Sequence, residues 1–229
     1  MAAYNAERCI SQAIQSVLDQ QHSGFELLII DDGSTDNTAR IVAGFEDLRI
    51  SYFYQPNSGV SASRNLGLQN MNGDFFCFLD ADDLMTPQSL ISRLASFKSN
   101  PDLMFVGGGQ EQYNEDLSVM LRRQIPTYQG MPRRGLVRLD PTCFINCGTW
   151  LIRRIEGHSY QFPIGWTHSE DLAFFLSISH LGLLKSIDNI VQVYRRHQSA
   201  MSDLDGLKSG YLRLYEFISN RRLFINQNE

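Results

Sequence analysis

Apolar residues recur along this chain with two periods that take turns. Ile10, Ala13, Ile14, Val17 and Leu18 fall at helical spacing, so a helix is expected there, with Asn5 placed to cap it. Phe25 to Ile30 is a short, almost wholly apolar run, the mark of a strand covered on both faces of a parallel sheet. Asp31-Asp32-Gly33-Ser34 breaks that run, and Ser34 or Thr35 can cap a helix reaching about Gly44. Arg49 to Tyr54 alternates and is aromatic, which predicts a strand. After the Pro56-Asn57-Ser58-Gly59 loop, Val60 to Asn70 predicts a helix. Phe75 to Leu79 is the most apolar strand in the chain and stops at Asp80. Thr86-Pro87 opens a helix to about Ser99, and Leu103 to Val106 is a further strand before Gly107-Gly108-Gly109.

This alternation predicts an α/β fold: a mostly parallel central sheet flanked by helices. From Gln110 to about Asp140 charged, glycine and proline residues dominate, which reads as a hairpin followed by a mobile loop. Gly148 to Arg153 and Leu184 to Tyr194 predict strands; Glu170 to Leu181 predicts a helix, and Leu207 to Phe224 an amphipathic one. The division expected is 1–109 for a ligand-binding α/β half, 110–203 for a second half and 204–229 for the C-terminal helix, within one domain.

Composition narrows the partners. Hydrophobic residues at 43% and charged residues at 20% describe a chain with a sizeable core. The net charge of -5 speaks against a nucleic-acid backbone as partner, yet leaves room for a small phosphate ligand held by local donors or a metal. Cys9, Cys77, Cys143 and Cys147 lack the neighbours of a zinc site and read as reduced cytosolic thiols. No apolar run approaches the ~18 residues of a membrane span, and no secretory signal is present, so a cytoplasmic location is expected.

Ligands of parallel α/β sheets bind beyond the carboxyl ends of the strands. Two acidic clusters sit at such ends: Asp31-Asp32 and Asp80-Ala81-Asp82-Asp83. Crowded carboxylates repel, and a divalent metal that bridges phosphates would relieve them. The plain alternative is capping of the next helix by Asp82 or Asp83, but one carboxylate suffices for a cap. Asp31-Asp32 can likewise belong to a turn, or can offer a carboxylate to the N–H of a uracil ring.

With these residues in view the chain resembles a family 2 inverting glycosyltransferase of the GT-A (Rossmann-like) fold. The matching stretches are Ala3 to Glu7, Ser16 to Gln20, Phe25 to Asn37, Asn57 to Gly67, Gly73 to Asp83, Ser169 to Leu172 and Tyr194 to Ser199, in order along most of the chain. The resemblance implies that residues 1–109 bind a nucleotide-sugar and that 110–203 bind the acceptor and carry catalysis. It implies a donor site with Ala3, Tyr4, Asp31, Asp32, Arg64, Asp80, Ala81 and Arg196, in which Asp32 contacts the base. Asp80 and Asp82 match an Asp-x-Asp motif, with Asp82 on a Mn2+ or Mg2+ ion and Asp80 facing ribose or metal-bound water. His197 matches a histidine that touches the metal or the diphosphate in some relatives. Asp171, with Glu170 beside it, matches the catalytic base.

The implied reaction moves a sugar from a nucleotide diphosphate, a UDP-sugar by expectation, to a hydroxyl of a glycan or lipid-linked acceptor. Inversion needs a base opposite the leaving group, and Arg195 and Arg196 would support the departing diphosphate. Asp171 also suits a plain role as a first-turn acid of a helix, and His197 that of a surface histidine. Trp150 and Trp166 read as core residues rather than sugar platforms. The arginine pairs near the 110–140 loop and the last helix offer a peripheral attachment to an anionic membrane face. Family members carry an apolar first strand before the Tyr-Asn motif, of which Met1-Ala2-Ala3 alone remains here. Two other readings stay open: sugar-phosphate nucleotidyl transfer, and a degenerate, non-catalytic sugar-nucleotide binder.

Overall fold

A computed structural model describes residues 1–196 and 204–220. Its strands form two sheets. The first is wholly parallel, in the order β1 (Ala2–Ala3), β2 (Leu27–Asp31) and β3 (Ile50–Tyr54). Helices α1 (Ile10–Leu18) and α2 (Thr38–Val42) connect these strands, and α3 (Val60–Asn70) follows β3. The second sheet holds β4 (Phe75–Phe76), β5 (Leu84–Met85), β6 (Leu103–Tyr113), β7 (Met120–Gln124), β8 (Gln129–Gly130), β9 (Trp150–Arg153) and β10 (Leu183–Arg195). Helices α4 (Ser89–Ser99), α5 (Arg133–Val137), α6 (Glu170–Ile178) and α7 (Leu204–Asn220) complete the chain. The spine of this sheet is β4-β9-β6-β10-β5, with β7 on β6 and β8 on β10. Only β6 and β10 pair in parallel; the other ladders of this sheet are antiparallel.

The α/β architecture is the expected one, but the sheet is divided and its larger part is mixed. The division follows from β1, whose two residues pair with Ile30 and Asp31. A single bridge, Ala2 to Asp80, links the two sheets among the described residues. Behind that bridge lies an apolar cavity of about 790 Å³, lined by Leu27, Leu28 and Ile30 on one side and Phe76, Phe78 and Leu79 on the other. The Met1 ammonium reaches into it and donates to the Leu28 carbonyl at 2.6 Å. Burial lowers the pKa of that ammonium from 8.0 to about 6. Phe75 to Leu79, expected as a full strand, is laddered only at Phe75 and Phe76, through Arg153 and Ile152. A strand needs a partner on at least one edge, and Cys77 to Leu79 face the cavity instead.

The 110–140 region is built rather than a mobile loop. β6 continues to Tyr113 and turns into β7; Thr127 and Tyr128 donate to the Thr142 carbonyl, β8 pairs with β10, and α5 follows. These residues carry no helical or alternating period because Met120 to Arg123 are exposed, so their order comes from ladders to distant strands. Three core clusters result among the described residues. Phe97, Leu103, Val106 and Leu151 form the smallest, and Ile10, Ile14 and Ile29 centre a second under α1. The largest is aromatic: Phe162 stacks on Phe174 at 4.1 Å, and Trp150 packs against Phe105, Phe144 and Phe175. Trp150 is thus a core residue, as expected, and Trp166 packs against Phe217. All four cysteines are free thiols.

Candidate active site

A cavity of about 1610 Å³ opens beyond the carboxyl ends of β1 and β2 and beside Asp80. Of the residues expected to bind a donor or metal, it gathers Ala3, Tyr4, Asp32, Asp80, Ala81, Asp82 and Arg196. Asp31, Arg64, Glu170 and Asp171 lie outside its lining. His197 lies outside the described residues.

The Asp31-Asp32 turn is fixed by its own loops. Asp31 is fully buried and accepts from Ser34 N at 2.8 Å and Tyr52 Oη at 2.7 Å. Asp32 Oδ1 accepts from Gln55 Nε2 at 2.6 Å and Ser58 N at 2.9 Å, while Oδ2 accepts from Gly59 N at 2.8 Å. A carboxylate offers about four acceptor directions, so Asp32 locks the 57–59 loop and keeps one direction for a ligand. Gly33 has φ +81, and a Cβ there would stand 2.7 Å from Asn57 N, so the turn and the loop meet only because this residue is glycine.

The capping expectations change here. Asn5 does not cap α1, which starts at Ile10 behind Cys9; it takes a left-handed φ of 47 and accepts from Thr35 N at 2.8 Å. Ser34 accepts from Asn5 N at 2.9 Å, and Asp36 rather than Ser34 or Thr35 receives Thr38 N at the start of α2, also at 2.9 Å. The two loops that border the cavity are thereby tied to each other.

The acidic cluster at Asp80 divides into three environments. Asp80 keeps 43% of its side chain exposed toward the cavity and is paired with Arg64 at 3.0 Å. Asp82 lines the cavity, and its backbone carbonyl accepts from Arg195 Nε at 2.9 Å. Asp83 is buried and accepts from Gln192 Nε2 at 2.7 Å and Arg195 N at 3.0 Å, so it anchors β10 and does not cap α4. Burial, reinforced by Asp82 and Asp80, pushes the Asp83 pKa well above the usual carboxylate range.

Of the three arginines expected to face a ligand, Arg64 and Arg195 are engaged by protein groups. Arg64 is buried and joins Asp80 to Glu170, its Nη1 lying 3.0 Å from Glu170 Oε1. Arg195 spends its guanidinium on the Asp82 carbonyl, the Glu115 carbonyl and Gln12 Oε1. Arg196 stays exposed on the cavity wall.

Glu170 and Asp171 open α6 directly after Ser169, which has φ 63. Burial, and then the charge of Glu170, raise the Asp171 pKa from 3.8 to about 6, with Arg64 acting in the opposite direction. As a mere dipole-complementing acid Asp171 would gain from ionisation; burial dominates instead, and the group is poised to take a proton near neutral pH.

Among the described residues no group of three His, Cys, Asp or Glu is arranged to hold a metal. Asp80 and Asp82 remain as two carboxylates on one cavity wall. Magnesium-like ions are commonly held by one or two carboxylates together with substrate phosphates, so this pair fits a metal that arrives with its donor. Asn114, Glu115, Asp116 and Leu121 of the β6–β7 hairpin also line the cavity, and the sequence reading missed them. Their only signal was the acidic pair Glu115-Asp116 in a region without period.

The chain is similar to known proteins. The glycosyl transferase family 2 profile matches residues 1–159. The UDP-Glc:alpha-D-GlcNAc-diphosphoundecaprenol beta-1,3-glucosyltransferase WfgD of Escherichia coli is 32% identical over 227 residues, covering 96% of this chain and 85% of its own. An uncharacterized glycosyltransferase of Rickettsia conorii, RC0461, is 44% identical over 186 residues, which are 81% of this chain and 30% of the Rickettsia protein. Among solved structures, S. aureus TarS 1-349 in complex with UDP-GlcNAc superposes with a TM-score of 0.74 at 19% identity, over 95% of this chain and 64% of that one. That likeness establishes the GT-A fold. The family match over most of the chain, with the WfgD relative, settles the coarser identity: this chain belongs to glycosyl transferase family 2 and is a glycosyltransferase.

Proposed function

We propose that the chain transfers a hexosyl or N-acetylhexosaminyl group, with inversion, from a UDP-sugar to a hydroxyl of a lipid-linked glycan acceptor, in the assembly of a cell-envelope polysaccharide. The observation that carries this reading is one connected line of residues. Asp80 and Asp82 face the cavity, Arg64 ties Asp80 to Glu170, and Glu170 adjoins Asp171 with its pKa near 6. UDP as the nucleotide is supported by the UDP-GlcNAc and UDP complexes of TarS and by the UDP-Glc in the name of WfgD. The diphosphoundecaprenol acceptor of WfgD supports a lipid-linked acceptor.

In this reading Ala3, Tyr4, Asp32 and Ala81 shape the nucleotide end of the cavity. Asp80 and Asp82 would hold Mn2+ or Mg2+ together with the donor diphosphate, where a metal would supply charge neutralisation for the leaving group. Arg196 adds a cation beside it. Asp171 removes the acceptor proton, and Glu170 with Arg64 sets its position and charge. Work at the inner face of a membrane accords with a lipid-linked acceptor, and no helix among the described residues is long and apolar enough to cross one.

A thermal-shift panel of UDP, GDP, dTDP and CMP, each with and without Mn2+, tests the donor. UDP with Mn2+ is expected to stabilise most. A larger shift with another nucleotide would reassign the base, and no shift with any nucleotide would remove the donor site from this cavity.

A further inference from the structure

Exposed apolar side chains gather on one rim of the donor cavity. Val119 is 53% exposed, Met120 48%, Leu121 47% and Ile125 41%, all on or beside β7. Leu139, just past α5, is 46% exposed. Gln124 Nε2 donates to the Pro141 carbonyl at 3.1 Å, so the hairpin and the turn after α5 form one surface. Exposed arginines are interleaved with these apolar groups: Arg122 and Arg123 on β7, and Arg138 beside Leu139. Glu111 pairs with Arg123, leaving Arg122 and Arg138 as the outward cations of the patch.

Two features argue that the patch is more than scattered surface. Leu139 has φ 53, a left-handed backbone that is costly for a leucine, and yet its side chain goes to solvent rather than into the core. The chain as a whole carries a net charge of -5, yet exposed Arg122 and Arg138 sit among these aliphatic residues, while the acids Glu115 and Asp116 of the same hairpin line the cavity. Interleaved arginine and aliphatic residues suit the boundary of an anionic bilayer. There the aliphatic groups enter the headgroup region, the guanidinium groups meet phosphates, and the polar groups of a strand edge stay hydrated. Leu121 belongs both to this patch and to the lining of the cavity, so a bilayer held here would lie at the cavity mouth.

We infer that the β6–β7 hairpin and the turn after α5 dock the enzyme on an anionic lipid surface, with the cavity opening at the lipid boundary. The inference rests on the lipid-linked-acceptor reading above, but its test needs no sugar. The full chain is sedimented with vesicles of phosphatidylcholine alone and of phosphatidylcholine mixed with phosphatidylglycerol. Binding is expected on the anionic vesicles and is expected to weaken as salt rises. Arg122→Ala with Arg138→Ala should weaken it about thirtyfold. Met120→Ser with Leu139→Ser should also weaken it, and Arg40→Ala, on exposed α2, should not.

Equal binding to neutral vesicles, or variants that bind like the wild type, overturns the inference. So does a concentration-dependent dimer, without vesicles, that the same variants abolish, because a second copy would then own this face. Hydrolysis of UDP-sugar by the Arg122→Ala/Arg138→Ala variant should remain at the wild-type rate. If vesicle binding fails while that hydrolysis persists, the docking face is wrong and the transferase reading stands.

Discussion

β6 is paired along its length, by β10 on one edge and by β9 and then β7 on the other, whereas β1 holds β2 through two residues only. The second sheet also carries the interlocked aromatic core, while the first rests on aliphatic residues under α1. Apolar packing joins the two regions, since Met85 of β5 and Leu90 of α4 share one core with Ala3, Ile14 and Ile29. Polar contacts add to it: Asn65 exchanges two hydrogen bonds with the Phe162 backbone, and Arg64 bridges Asp80 and Glu170. The contrast teaches a division of labour. The second sheet is laddered along the length of β6 and β10, and the first is held against it by shared apolar packing and by directed contacts. Of the residues in those directed contacts Asp80 lines the donor cavity, so the Arg64 bridge ties alignment of the site to cohesion of the molecule.

The severest way to separate chemistry from cohesion is Asp171→Asn. Loss of a general base costs on the order of 10²–10⁴-fold in kcat. The donor KM should hardly move, because Asp171 does not line the donor cavity. The melting temperature should stay or rise, since an amide removes the need to ionise a buried carboxyl. Full activity in this variant would strike Asp171 from the mechanism. Arg64→Met is next. It leaves Asp80 and Glu170 without their shared cation, and removing one partner of a buried pair costs about 3–5 kcal/mol. For a chain of this size the melting temperature should fall by roughly 10 °C, with a rise in donor KM as Asp80 shifts. An unchanged melting temperature would mean that the seam does not hold the two sheets together.

Local features of this site were legible in the sequence, and distant pairings were not. Asp32, Asp80 and Asp82 share one cavity because each ends or follows an apolar run, and an apolar run followed by acids is a local signal. Arg64 and Glu170 are 106 residues apart, and Asp83 meets Gln192 and Arg195 at separations of 109 and 112. No period or cap announces such contacts, so Arg64 and Arg195 were expected at the ligand and Asp83 at a helix cap. Phe75 to Leu79 failed for a related reason. Its composition describes a strand correctly, but a ladder also needs a neighbour, and the two residues of β1 meet this run only at the Ala2 to Asp80 bridge.

That shortness gives a third handle on the comparison. Four apolar residues, Val-Ile-Val-Ile, placed ahead of Met1 would extend β1 beside Leu27 and Leu28 into the 790 Å³ cavity. Burying their inward side chains, less the cost of ordering four residues, should leave a net gain of about 2 kcal/mol. The melting temperature should then rise by roughly 4–8 °C. A melting temperature that stays put or drops would show that the cavity does not receive a strand.

The mildest test concerns the pH profile of the base. The folded pKa of Asp171 is raised to about 6 by burial and then by Glu170, so kcat/KM should climb with pH and level off above about 6. Between 3.8 and 6 the folded state binds more protons than the unfolded state, so this carboxyl costs stability as pH rises through that window. Glu170→Gln removes the larger of the two neighbouring charges that raise it, leaving burial and Asp80 in place. The rising limb should then move to lower pH, and the loss of stability across the window should shrink. Arg64 keeps Asp80 as partner in this variant, so the cohesion of the two sheets should suffer less than in Arg64→Met. A limb that stays at about 6 would assign the shift to burial and Asp80. A limb that moves upward would mean that Glu170 holds Arg64 close to Asp171, and that the cation it recruits outweighs the charge it brings.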